Sequence, residues 1–280
     1  MNPTSVPAGR PAPPGSGGAT GAEDILTTEV FSAIQGEAAL VGTRQIFVRL
    51  TGCNIRCAYC DQPEALEKLP GPCRVEQTPG RRDWQTVVSP LPIRAVVAMV
   101  GRLWDALPHH SVSLTGGEPL LQGDRVVELA RLLAEDGRPV MLETNGTLIG
   151  ALRRALPWLT YVSMDIKLPS VDGERVRPEV QRQFLAAAVE AGVTTWAKVV
   201  IGPSTDFDEI DRAVDMVASV APDHSGRQLR PEIFLQPVTP FAGVTAAPTP
   251  AQVLELHERA LRRYPRVRVV PQTHKAIGQL

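Results

Sequence analysis

From Ile25 onward, short apolar runs alternate with longer amphipathic stretches. Residues 93–106 place Val96, Val97, Val100 and Leu103 on one face at helical spacing. The same period predicts helices over 123–136, 178–191, 207–220 and 250–264. Between them lie apolar runs short enough to be strands, at 112–115, 139–143, 161–166, 195–201, 233–235 and 267–270. Two further strands, 26–34 and 45–50, precede the first helix. Strands alternating with helices of this length predict βαβ units on a parallel sheet. About six such units fall short of the eight that close a barrel. The expected fold is therefore α/β, a partial, open β/α barrel with about six parallel strands, its site at the C-terminal strand ends. Residues 70–92 are rich in Pro, Gly and Arg and predict an irregular insertion. Residues 1–23 have almost no large apolar side chain and predict a disordered tail, which leaves 24–280 as one domain.

Composition adds little. The 280 residues are 43% apolar and 21% charged, ordinary for a globular enzyme-sized chain. A net charge of −1 gives no reason to expect a nucleic-acid or membrane partner. No apolar run approaches the ~20 residues of a membrane span. The N-terminus lacks the basic-then-apolar pattern of a signal peptide, so a cytoplasmic location is expected.

Chemistry enters with Cys53, Cys57 and Cys60, three of only four cysteines. Thiolates at this density select zinc, Cu(I) or an iron–sulfur centre. Three of them hold three corners of a four-iron cluster and leave one iron open, where such clusters usually take four cysteines. A structural zinc site completed by Cys73, or a disulfide pair plus a free thiol, are the plainer readings. The other unusual polar residues follow predicted strands: Gly116-Gly117-Glu118-Pro119, Glu143-Thr-Asn-Gly146, Asp165 with Lys167, and Gln236. In parallel α/β proteins that edge is where ligands bind. Gly116 and Gly117 allow backbone to approach a ligand closely, and Glu118 either fixes the turn or accepts from an ammonium group. Gln35 and Glu37 flank Gly36, a place for a turn with positive φ. Taken singly, each motif also reads as a polar turn, an ion pair or a surface histidine.

The cysteine spacing together with Gly-Gly-Glu-Pro resembles the radical S-adenosylmethionine (SAM) enzymes. Phe31-Ser-Ala-Ile-Gln-Gly-Glu37, Phe47-Val-Arg-Leu-Thr-Gly-Cys-Asn54, Ser113-Leu-Thr-Gly-Gly-Glu-Pro-Leu-Leu121, Glu143-Thr-Asn-Gly146 and Gln272-Thr-His-Lys275 resemble, more narrowly, the 7-carboxy-7-deazaguanine synthases. That resemblance implies the radical SAM type of open barrel and conversion of 6-carboxy-5,6,7,8-tetrahydropterin to 7-carboxy-7-deazaguanine, with loss of ammonia, in deazapurine and queuosine biosynthesis. It implies a [4Fe–4S] cluster on Cys53, Cys57 and Cys60, SAM used catalytically, Mg2+, a homodimer and a flavodoxin-like reductant. Matched position by position, SAM would meet Gly116, Gly117, Glu118, Asp165, Lys167 and Gln236. The pterin would meet Gln35, Glu37, Arg49, Glu143, His274 and the terminal carboxylate of Leu280. Where the family has a magnesium-binding threonine after Cys-Asp, this chain has Gln62, whose carbonyl oxygen is still a hard ligand. Two alternatives follow from the same residues: a glycyl-radical activating enzyme, which shares the cysteine motif, and a non-catalytic zinc or iron–sulfur module.

Overall fold

The apolar runs become strands because both of their faces are covered. The computed structural model describes residues 24–172, 176–220, 230–241 and 243–279, so the tail expected over 1–23 lies outside the described residues. The chain begins with β1 (Asp24–Ile25), β2 (Thr27–Ile34) and β3 (Arg44–Leu50), then β4 (Gly71–Glu76), β5 (Trp84–Ser89) and β6 (Leu91–Pro92). The βα units follow as α1 (Ile93–Ala106), β7 (Ser111–Gly116), α2 (Asp124–Glu135), β8 (Val140–Thr144), α3 (Ile149–Ala155) and β9 (Tyr161–Ile166). They continue as α4 (Pro169–Asp172), α5 (Pro178–Glu190), β10 (Thr194–Ile201), α6 (Phe207–Val220), β11 (Glu232–Pro237), α7 (Pro250–Arg263), β12 (Val267–Val269) and α8 (Thr273–Ala276).

Ten strands form one sheet in the order β12-β11-β10-β9-β8-β7-β3-β2-β4-β5. Pairing is parallel from β12 through to β3. β2 then runs antiparallel to β3, and the β4–β5 hairpin extends that edge. The outermost strands, β12 and β5, do not pair with each other, so the barrel stays open. Successive strand residues face opposite sides. One side packs Leu114, Leu142, Val162, Val199 and Leu235 against the helices in the main core, each contributing roughly 1.5–3 kcal/mol. The other side is apolar near the strand starts, where Met141, Tyr161, Trp196 and Phe234 form a plug, and on β2 and β3, where Phe31 and Phe47 pack together. Further along the same face come Ser113, Glu143, Ser163, Asp165, Lys198 and Gln236. The pleat thus builds a polar cavity above an apolar floor, at the C-terminal strand ends.

Two expectations are corrected. Residues 70–92 are not irregular: β4 and β5 form a hairpin in register from Gly71↔Ser89 to Glu76↔Trp84. Pro and Gly dominate the composition of this stretch, yet Trp84-Gln-Thr-Val-Val-Ser89 is a good β sequence, and the Glu76 carboxylate pins the hairpin by accepting from the N–H groups of Ser32 and Arg82. Nor does Gly36 adopt positive φ. It is glycine because His274 lies against it, where an added Cβ would sit 2.1 Å from the ring Nδ1.

Candidate active site

The loop leaving β3 is stitched to the loop leaving β7. Gly117 and Glu118 donate their backbone N–H to Leu50 and Gly52 carbonyls at 3.1 and 2.7 Å. Gly52 and Cys53 donate in turn to Ala65 and Leu66 at 2.8 and 2.9 Å. A Cβ on Gly116 would lie 2.1 Å from the Leu50 carbonyl oxygen, and one on Gly117 2.3 Å from that of Gly52. The two glycines are therefore required first by neighbouring backbone. Glu118 is fully buried and does not line the cavity. Its carboxylate accepts from the N–H of Leu120 (3.0 Å) and Asn145 (2.7 Å) and from the Thr144 hydroxyl, and so fixes the turn. Burial pushes its carboxyl up to about 7 against those donors.

This stitching presents Cys53, Cys57 and Cys60 to one cavity. Burial raises the Cys53 thiol and pushes Cys57 up to about 12. Bound iron would deprotonate them outright. Among the described residues no three His, Cys, Asp or Glu side chains converge on a single-ion position. Cys73 lies in the apolar core beside Val75 rather than on the cavity, which removes the four-cysteine zinc site. A multi-iron cluster needs its thiolates on separate irons, and the cavity-facing trio fits that.

The facing wall is a chain of charges. Glu37 receives the Lys198 ammonium together with the side-chain amides of Gln272 (2.8 Å) and Gln236 (3.3 Å). Burial disfavours the Glu37 carboxylate, but Lys198 and the Gln272 amide hold it below the usual range. Lys198 also reaches Asp165 at 3.1 Å, and Asp165 meets Lys167 at 3.1 Å. Lys167 in turn donates to the Tyr59 hydroxyl at 2.9 Å. Burial opposes the charge on both lysines, yet their acidic partners raise them above the usual range. Among the described residues, the buried side-chain oxygen of Gln236 has no hydrogen-bond partner. Such an acceptor costs about 1–3 kcal/mol unless a ligand N–H meets it, so it fits a bound ligand.

Gln35 donates to Glu143 at 3.0 Å and to Gln45 at 2.9 Å, while its oxygen accepts from the Glu37 N–H. Ser113 and Thr115 hydroxyls complete the Glu143 shell at 2.8 and 3.0 Å. Arg49 lines the cavity with its Nε bound to Glu29 at 2.8 Å. His274 lines it too, and burial keeps its ring below the usual histidine range, hence neutral at pH 7. Lys275 pairs with Asp61 at 3.0 Å and so straps α8 to the cysteine loop. Burial opposes the Asp61 charge, yet Lys275 holds its carboxyl below the usual range. Gln62, beside Asp61, lines the cavity, and Leu280 lies outside the described residues.

Of the sequence-predicted residues among those described, all but Glu118 reach this one cavity. Lys198, Tyr59, Asn145 and Gln272 also line it and were not chosen as contacts from the sequence. Lys198 did leave a signal. Strands buried on both faces read as continuous apolar runs, and a lysine interrupts Trp196-Ala-Lys-Val-Val-Ile201.

The Radical SAM superfamily profile matches residues 47–217. The chain is 42% identical to a 7-carboxy-7-deazaguanine synthase of Geobacter sulfurreducens, over 90% of this chain and 96% of that one. It is 33% identical to the Methanothermobacter thermautotrophicus protein of the same name, over 89% and 96%. The crystal structure of QueE from Escherichia coli superposes with a TM-score of 0.57 at 22% identity, covering 89% of this chain and 94% of that one, which supports the fold.

Proposed function

This chain belongs to the 7-carboxy-7-deazaguanine synthase family of radical SAM enzymes, and from that premise we propose that it converts 6-carboxy-5,6,7,8-tetrahydropterin to 7-carboxy-7-deazaguanine with loss of ammonia. The observation that carries this reading is the cavity itself. Three thiols lie on one wall and a Glu37–Lys198–Asp165 charge chain on the other. When bound, a [4Fe–4S] cluster and SAM supply a strong hydrogen-atom abstractor. The protein's part is to bind, orient and exclude water. Cys53, Cys57 and Cys60 hold three irons. The strand ends at Gly116, Gly117, Asp165 and Lys167, with the unpartnered Gln236 oxygen, receive SAM. Gln35, Glu37 and Glu143 form a pre-assembled acceptor and donor edge for the pterin ring, and neutral His274 closes it. Arg49 pairs the substrate carboxylate, since its planar fork matches that group.

The finer assignments belong to the same proposal. Gln62 is the side-chain ligand for Mg2+, with Asp61 already committed to Lys275. A flavodoxin-like protein delivers the electron, and the working unit is a homodimer. Glu118 acts behind the SAM site, holding the β7 and β8 ends together.

The test is anaerobic reconstitution with iron and sulfide, then SAM, dithionite and the carboxytetrahydropterin. Formation of 7-carboxy-7-deazaguanine while SAM persists supports the proposal. SAM consumption to 5′-deoxyadenosine without product keeps the superfamily and discards the substrate. Turnover with and without Mg2+, in wild type and Gln62→Ala, decides the metal assignment.

A further inference from the structure

The β4–β5 hairpin carries a charge arrangement that the proposed reaction leaves unused. Sheet register places Arg74, Glu29 and Arg49 side by side on β4, β2 and β3. Glu29 is buried, and its two oxygens are divided between the guanidinium groups: Oε2 to Arg49 Nε at 2.8 Å, Oε1 to Arg74 Nη2. The Arg74 guanidinium lies 5.0 Å over the Trp84 ring on β5. Trp84 meets Phe31 edge-on at 6.1 Å, and Phe31 carries Arg49 at 5.6 Å on its ring and stacks on cavity-lining Phe47 at 5.3 Å. Among the described residues the Arg49 Nη groups have no protein acceptor.

One carboxylate thus serves two cations, leaving the triad one positive charge in excess. Arg49 is the member that faces the cavity. We infer that Arg74, seated on Trp84, is a positioning residue for substrate binding. It occupies one Glu29 oxygen, so Glu29 cannot close on Arg49 as a two-pronged pair, and the Arg49 fork stays turned to the cavity for an anionic substrate group. Bidentate pairing is the preferred arginine–carboxylate geometry, so removing Arg74 frees Glu29 to draw Arg49 away. The inference rests on the proposed pterin reading.

The test compares KM and kcat of reconstituted wild type, Arg74→Ala and Arg74→Lys with the carboxytetrahydropterin. Wild-type turnover is the check on the reading itself, and its absence would sink that reading rather than the role of Arg74 alone. Given turnover, Arg74→Ala is expected to raise KM about tenfold with kcat and SAM affinity within twofold. Arg74→Lys, which keeps a charge on Glu29, recovers most of the loss. Adding Glu29→Gln to Arg74→Ala restores KM toward wild type, because the competing carboxylate is gone. An unchanged KM in Arg74→Ala overturns the inference. So does a parallel fall of kcat and thermal stability without a KM change, which would mark a merely structural role.

Discussion

Lys198 offers the sharpest test of how this cavity is held. Its side chain is 11% exposed, and those of its partners Glu37 and Asp165 are 17% and 21% exposed. Lys198→Met keeps the unbranched shape and removes the charge. Asp165 retains Lys167, and among the described residues Glu37 retains the side-chain amides of Gln236 and Gln272. Removing one partner of a buried pair costs about 3–5 kcal/mol. The lower end applies here, because the site opens on a cavity, so the expected loss is about 3 kcal/mol at pH 7. For a chain of this size that lowers Tm by roughly 6–12 °C. The pH dependence has a definite sign. Glu37 is held below its ordinary carboxylate value in the folded wild type. Its contribution is therefore present above the unfolded value and lost as pH falls through the lower, folded one. Without Lys198, burial is the leading influence left on Glu37 and its folded value moves up. The destabilisation of Lys198→Met should thus be largest at neutral pH and shrink to about 1 kcal/mol near pH 4. Urea unfolding of both proteins across pH 4–8 measures it. A loss below about 1 kcal/mol at pH 7, or one that does not shrink on acidification, would refute the reasoning.

Three further outcomes follow. Gly116→Ala, forced against the Leu50 carbonyl at a φ of 123°, should cost about 3 kcal/mol and reduce cluster incorporation, read from the visible absorbance after reconstitution. Glu118→Gln should cost about 1 kcal/mol at acidic pH, because its NH2 turns two hydrogens toward these donors where the neutral carboxyl turns one, yet leave the KM for SAM within twofold. Because the wild-type carboxyl titrates at about 7, above its unfolded value of about 4.5, wild type loses stability as pH rises between the two, and its advantage over the Glu118→Gln variant should narrow over that window in urea unfolding. Cys73→Ser should retain wild-type iron content, with a loss of about 1–2 kcal/mol for burying a hydroxyl in the core, whereas Cys57→Ser should lose the cluster; iron analysis separates the two.

Much of this protein is legible in one dimension because the relevant periods are local. The 3.6-residue stripe at Val96, Val100 and Leu103 places α1 over Ile93–Ala106, as the pattern predicts. Cys53, Cys57 and Cys60 are close in sequence, so their shared cavity needs only one loop. Residues after strands fall on one edge in any parallel sheet, which is why Asp165, Lys167, Glu143 and Gln236 could be chosen without coordinates. α3 escaped because its seven residues carry too little amphipathic pattern to stand apart from the flanking loops.

Register between strands distant in sequence, and close packing between loops, were decided only by the tertiary structure. Lys198 pairs in register with Asp165 on the neighbouring strand, and Glu29 with both Arg49 and Arg74. No local period encodes which residue lies opposite which, because a one-residue slip turns every side chain to the other face. Glu118 looked like a ligand contact until Thr144 and Asn145 came to meet it, and Gly36 looked like a turn until His274 arrived from the far end of the chain. The sequence determined the kind of chemistry by concentrating thiols and polar strand ends; packing determined which charges face the cavity and which hold one another in place.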